Sequence, residues 1–265
     1  MFTSTLLVSR QEFAVRSVAC RNDNRDWCGP ELASGFGLVL ARRGGFRRRT
    51  AAGEVLVDPT MGYLTRPDEE EQFVHPAGGD HCTALRVSAR LWHEVVGERP
   101  VPASVYVDAR LDLDHRLLVR AARGPDPDFA AAERLVAVLG AAGRTAAARR
   151  LPRAPSRLDR AAVESAREAL RDDHPDAAGL LPLSRRLGIS PYRLSRSFHA
   201  LVGVPLTRYR NRLRVGRAMD QLEQGADNLA ALAAGLGFAD QAHLSRTVRA
   251  QLGCTPSGLR RLLQG

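Results

Sequence analysis

The chain has 265 residues and a formal net charge of +10, with all 39 basic residues Arg, which allows one or two domains with a full core in each. From Leu151 onward 18 Arg stand against 10 acidic residues, while residues 1–150 hold 21 Arg and 19 acidic residues, so an electrostatic footprint for phosphate belongs to the second half. There is no apolar run of 18 residues, no basic and apolar leader, and only four Cys without a disulfide framework, so the expectation is a cytoplasmic protein with no membrane partner.

Residues 1 to about 108 read as β. Phe13 to Cys20, Phe36 to Ala41, Phe46 to Thr50, Glu54 to Asp58, Gly62 to Thr65, Glu71 to His75 and Cys82 to Val87 are short apolar or alternating runs. Gly, Pro or Asp separates them, which predicts a sandwich or barrel. Two helices follow, Asp112 to Arg123 and Asp128 to Leu139, the second with Phe129, Leu135, Val136, Val138 and Leu139 as its apolar face. The first domain is therefore placed at 1–142, a linker at 143–157, and a second domain at 158–265, opening with a helix over Leu158 to Arg171.

Between Leu183 and Arg260 one pattern occurs twice, about fifty residues apart. Leu183, Leu187, Gly188, Ile189 and Ser190 lead into Leu194-Ser195-Arg196; Leu232, Leu236, Gly237, Phe238 and Asp240 lead into Leu244-Ser245-Arg246. Each copy reads as a short helix, a glycine turn and a capped second helix, that is, a helix-turn-helix at about 181–201 and again at about 229–251. Leu194 and Phe198, or Leu244 and Val248, face the core. Tyr192, Arg193, Ser195, Arg196 and His199 then point outward, as do Gln241, Ala242, Ser245, Arg246 and Arg249, and such side chains read base edges and phosphates in a major groove. Pro205 to Gln224 reads as one connecting helix, about 30 Å long at ~1.5 Å per residue. That is close to one turn of DNA, so the two second helices suit successive major grooves. Arg208, Arg210, Arg212, Arg214 and Arg217 cluster at its start and are candidates for phosphate contact.

The segment Ala233 to Phe238, then Asp240 to Arg246, Gly253-Cys254-Thr255-Pro256 and Leu259-Arg260 resembles the C-terminal signature of the AraC/XylS transcription regulators. Leu244, Val248 and Leu259 replace aromatic residues of that signature, one apolar packing group for another. The resemblance implies double-stranded promoter DNA as partner, RNA polymerase as a further partner of an activator, and a homodimer contact through the helices after the β region. It also implies a bacterial, effector-responsive regulator that is not an enzyme. The strands, with Asp58-Pro59, Tyr63-Leu64, Pro67, His75-Pro76 and Gly78-Gly79-Asp80, are similar to the cupin-like sensory domain of many such proteins. The fold class expected is thus α+β in two domains: a cupin-like β-barrel or sandwich with trailing helices, and an all-α half whose two helix-turn-helix units are joined by a long helix.

Metal cupins hold their ion with a His-x-His pair, and none occurs here, so no cofactor or catalytic residue is assigned. Trp27, Phe36, Arg42, Tyr63, Phe73 and His75 are candidate lining for a small-molecule pocket inside the barrel. Cys20, Cys28, His75, His81 and Cys82 raise the question of a metal or redox site, although their spacing matches no compact site. Two rivals stand beside the regulator: a metal- or thiol-dependent cupin sensor or enzyme tethered to DNA, and an architectural DNA-binding protein whose barrel is packed solid.

Overall fold

The computed structural model describes residues 2–21, 25–76, 78–98, 102–148 and 156–264, in two compact units, Met1–Ala148 and Arg149–Gly265. In the first unit β1 (Phe2–Ser9), β2 (Phe13–Cys20), β3 (Glu31–Leu32), β4 (Phe36–Arg43), β5 (Phe46–Thr50), β6 (Gly53–Val57), β7 (Met61–Thr65), β8 (Glu70–Val74), β9 (Asp80–Val87) and β10 (Ser104–Tyr106) form two antiparallel sheets. Their orders are β1-β2-β9-β4-β7-β10 and β3-β8-β5-β6. Between the sheets pack Ala41, Phe46, Val57, Tyr63 and Cys82, with Val18, Val39, Val55 and Phe73 at the edges, so the β region is a two-sheet sandwich with trailing helices.

Alternation along each strand decides what goes inside. In β4, Val39 and Ala41 face the second sheet, while Leu38 and Leu40 face the helices. Those helices are α1 (Ala89–Val95), α2 (Ala109–Ala121) and α3 (Ala132–Ala148). They cover the outer face of the six-stranded sheet through Trp92, Leu111, Leu118, Leu135, Val138 and Leu139. Helix α1 lies inside the stretch read as β from sequence. Its Ser88 cap accepts a hydrogen bond from Leu91 N, and Trp92 is its single buried residue.

Two further differences have simple causes. Helix α3 runs on to Ala148, six residues into the expected linker, because Ala142 and Ala146 continue its buried stripe at four-residue spacing. The middle of that linker, residues 149–155, lies outside the described residues. Phe129 and Val136, expected on the apolar face, are 74% and 41% exposed, because they fall off the stripe that Leu135, Val138 and Leu139 define.

Among the described residues the second unit is helical: α4 (Arg157–Arg171), α5 (Leu180–Arg186), α6 (Pro191–Val202), α7 (Leu206–Glu223), α8 (Leu229–Gly235), α9 (Gln241–Leu252) and α10 (Pro256–Gln264). Among the described residues no helix is long and apolar enough to cross a membrane.

Candidate nucleic-acid interface

The two repeated units are built alike. Helix α5 ends at Arg186, Gly188 turns the chain at φ 65°, and Ser190 caps α6 by accepting a hydrogen bond from Arg193 N. Helix α8 ends at Gly235, Gly237 turns the chain at φ 71°, and Asp240 caps α9 by accepting from His243 N. Both turns need the left-handed backbone that glycine adopts without strain. Proline at the first position of α6 has no N–H to lose there, which favours a start at that residue.

Each second helix buries one stripe: Leu194, Phe198 and Val202 in α6, and Leu244, Val248 and Leu252 in α9. Phe198 packs edge-on against Tyr209 of α7, with ring centroids 5.1 Å apart. Leu244, Val248 and Leu259, the three replacements of signature aromatics, are all fully buried. They therefore serve as core packing groups of the second unit.

The opposite faces are open. Tyr192, Arg193, Ser195, Arg196 and His199 on α6 are exposed, as are Gln241, Ala242, Arg246 and Arg249 on α9; Ser245 is half-buried. Arg196 donates to the Tyr192 hydroxyl at 3.2 Å and lies over its ring at 5.5 Å, so the two present one flat, cationic surface. Arg193 is differently placed. It donates to Asp159 of α4 at 2.9 Å, and Ser197 donates to the same carboxylate at 2.9 Å. Those hydrogen bonds, with one from Ser156, hold the Asp159 carboxyl well below the usual range.

The connecting helix carries fewer open cations than its sequence suggests. Arg212 is buried. Arg217 donates to Asp173 at 2.6 Å and to the carbonyl of Arg171 at 2.6 Å, closing the C-terminal end of α4. Arg214 lies over the Phe238 ring at 5.4 Å. Only Arg208 of the five is exposed, because α7 is the central helix and packs against α4, α6, α9 and α10. Asp159, which fastens α6 to α4, was not singled out from sequence, although its place three residues after Ser156 is the spacing of an N-terminal cap.

In the first unit Tyr63, Phe73 and His75 gather around the Phe46 ring, with centroids 6.2, 5.8 and 5.4 Å from it, while Trp27, Phe36 and Arg42 lie elsewhere. A cavity of about 480 Å3 opens beside the strands and includes Phe36 and Tyr63, together with Arg16, Thr65, Glu71 and Arg86. Trp27 instead stacks under the Arg49 guanidinium at 3.8 Å, and Phe73 belongs to the interior cluster. Arg42 approaches Asp112 of α2 at 3.9 Å, on the helix side of the sheet, since Ala41 before it takes the inward direction. His75 meets Asp80, 3.0 Å from its Oδ1, away from that cavity. A buried charge cluster that sequence reasoning missed adjoins the cavity. Arg48, 1% exposed, bridges Glu69 at 2.6 Å and Glu71 at 2.8 Å and lies over Tyr63 at 4.5 Å. Burial pushes the Glu71 carboxyl up against the opposing pull of Arg48.

Residues 183–262 match the family described as a helix-turn-helix domain. Among solved structures, ToxT from Vibrio cholerae is 10% identical with a TM-score of 0.39, over 96% of this chain and 100% of that one. The C-terminal domain of AraT, a response regulator from Geobacillus stearothermophilus, is 21% identical with a TM-score of 0.35, over 40% and 85% of the two chains. A cupin 2 conserved barrel domain protein from Leptotrichia buccalis is 12% identical with a TM-score of 0.30, over 33% and 41%. No curated protein matches the chain in sequence. Both copies of the repeated pattern, from Leu183 to Arg260, fall within the matched span, and residues 183–262 are a helix-turn-helix domain.

Proposed function

We propose that the protein is a sequence-specific, effector-responsive transcription regulator that reads two successive major grooves with α6 and α9. The observation that carries this reading is the duplicated helix whose inner stripe is fully buried and whose outer face presents an exposed Arg at the same position in each copy, Arg196 and Arg246. Helix α7, with 18 residues, spans about 27 Å, near the rise of one DNA turn. Arg196 and Arg246 are the leading base or phosphate readers. Tyr192, Ser195, Gln241, Ala242 and Ser245 assist them, and Arg249 meets a phosphate. Arg193 does so only by exchanging Asp159 for the DNA backbone.

The effector enters the first unit at the cavity beside Tyr63 and Phe36, where Arg16, Arg86 and Glu71 offer charge and Thr65 a hydroxyl. Its binding changes how well the second unit occupies promoter DNA. The DNA reading is tested by selecting preferred sites for the wild type, Arg196→Ala and Arg246→Ala. Each variant should lose about 1–3 kcal/mol on the wild-type site and relax preference in one half of it only. Equal loss on every sequence would reassign that Arg to the phosphates.

A further inference from the structure

One end of the barrel interior gathers metal-ligating side chains from three separate segments. Cys20, the last residue of β2, is the cross-strand partner of Asp80, the first of β9. Cys82 shares the face of Asp80, because side chains two apart in a strand point the same way. His75 follows β8 and brings Nε2 to 3.0 Å from Asp80 Oδ1. A sulfur of Cys20, a ring nitrogen of His75 and a carboxylate oxygen of Asp80 all lie within 4.8 Å of one another. A tetrahedral zinc ion with bonds of about 2.0–2.3 Å sets its ligand atoms roughly 3.3–3.8 Å apart, so only small side-chain movements separate this cluster from a complete site.

The second observation is an orphaned acceptor. Asp80 is 3% exposed, and its Oδ1 is buried without a hydrogen bond even though His75 stands beside it. A buried carboxylate and a half-buried imidazole in contact with no hydrogen bond between them have the arrangement of two ligands on one cation. A buried carboxylate oxygen is costly without a partner, and a metal ion would supply it. The other oxygen, Oδ2, accepts from the Cys82 thiol at 2.9 Å, which fixes the carboxylate plane. Cys20 is not in a disulfide, and the Phe46 ring, 5.4 Å from the imidazole, walls the site on one side. Of the cysteines and histidines considered from sequence, Cys28 lies apart, accepting from Phe73 N at 3.1 Å. His81 is exposed and faces the other side of β9, between Asp80 and Cys82.

We propose that Cys20, His75 and Asp80 form a site for a transition-metal ion of the zinc class, with Cys82 orienting Asp80 through its S–H donor. Thiolate and imidazole select such ions over magnesium or calcium. Coordination converts the Cys20 thiol to a thiolate and releases its proton, so binding weakens as pH falls. Three protein ligands leave a fourth position for water or an exogenous donor.

The test is cobalt(II) titration of the full-length protein purified without chelator, read by the near-ultraviolet thiolate-to-cobalt absorption, with zinc competition giving the stoichiometry. The expected result is about one equivalent of metal, a band abolished in Cys20→Ser, and affinity at least about tenfold lower in His75→Gln. Cys28→Ser and Cys254→Ser should keep the wild-type band. His75 is partly exposed, so its variant decides the matter if Cys20→Ser does not fold. The absence of a thiolate band at about 1 mM cobalt(II) would overturn the proposal. So would a band lost in Cys28→Ser, or one that His75→Gln leaves at wild-type affinity.

Discussion

The duplicated turn supplies its own control. Gly188 and Gly237 hold φ of 65° and 71°, so an alanine at either position meets the same left-handed backbone. That conformation costs an L-residue about 1–2 kcal/mol. The surroundings differ. A Cβ on Gly188 would have nothing within 4 Å, whereas one on Gly237 would fall 2.7 Å from Nη2 of Arg214. Arg214 would have to move, loosening its place 5.4 Å over the Phe238 ring, a contact worth about 0.5–1 kcal/mol when partly exposed. Gly188→Ala should therefore cost about 1–2 kcal/mol and Gly237→Ala about 0.5–1 kcal/mol more. Urea unfolding followed by far-ultraviolet circular dichroism measures both. In an Arg214→Ala background the two substitutions should cost the same, since the group that separates them is gone. An excess for Gly237→Ala that survives removal of Arg214, or a cost for either substitution below about 0.3 kcal/mol, would refute the reasoning.

Three other predictions follow from buried or clamped charges. Burial, and the Arg42 charge nearby, push the His115 imidazole down to about 3. The unfolded chain takes up a proton at about 6.5 while the folded one does not, so stability should fall as pH drops from about 6.5 toward 3, and His115→Gln should flatten that slope in urea titrations at several pH values. Arg48, itself buried, pairs with both Glu69 and Glu71, so Arg48→Met should lower stability by about 3 kcal/mol in the same assay. Asp159, whose carboxyl is held down by Arg193, Ser156 and Ser197, should stabilise the second unit at neutral pH and lose that effect below the ordinary carboxylate range, so the gap in melting temperature between wild type and Asp159→Asn should close as pH falls.

The second unit was more legible in the sequence than the first, for a physical reason. Its helix starts are written in local chemistry: Ser190 before Pro191, Asp240 before Gln241, and glycine in each turn. These signals act within four residues and do not depend on distant contacts. The β-rich unit depends on pairing across long sequence intervals. Edge strands β1 and β3 have mostly exposed residues, and β10 has only three residues, so none gave a clear alternation. Starting β9 at Cys82 rather than Asp80 hid the Asp80 and Cys82 pair on one face, and with it the cluster around Cys20. The lining of the cavity was beyond reach for the same reason. Which strand faces give Tyr63 and Arg16 a common space is settled by sheet order, not by the residues' own neighbours. On α7 the Arg run offered five candidates for phosphate contact, yet the helix is central, and Arg212, Arg214 and Arg217 are taken up by packing, an aromatic ring and the end of α4.

The most direct test of the central claim is selection of bound sites from random DNA duplexes by the purified full-length protein at about 150 mM salt, followed by sequencing. The account predicts one enriched motif in two parts whose centres lie about one helical turn, ~10.5 base pairs, apart on one face of the duplex. Enrichment of no motif, with affinity that falls steeply with salt and is equal on all sequences, would contradict it and leave the second unit a non-specific anchor.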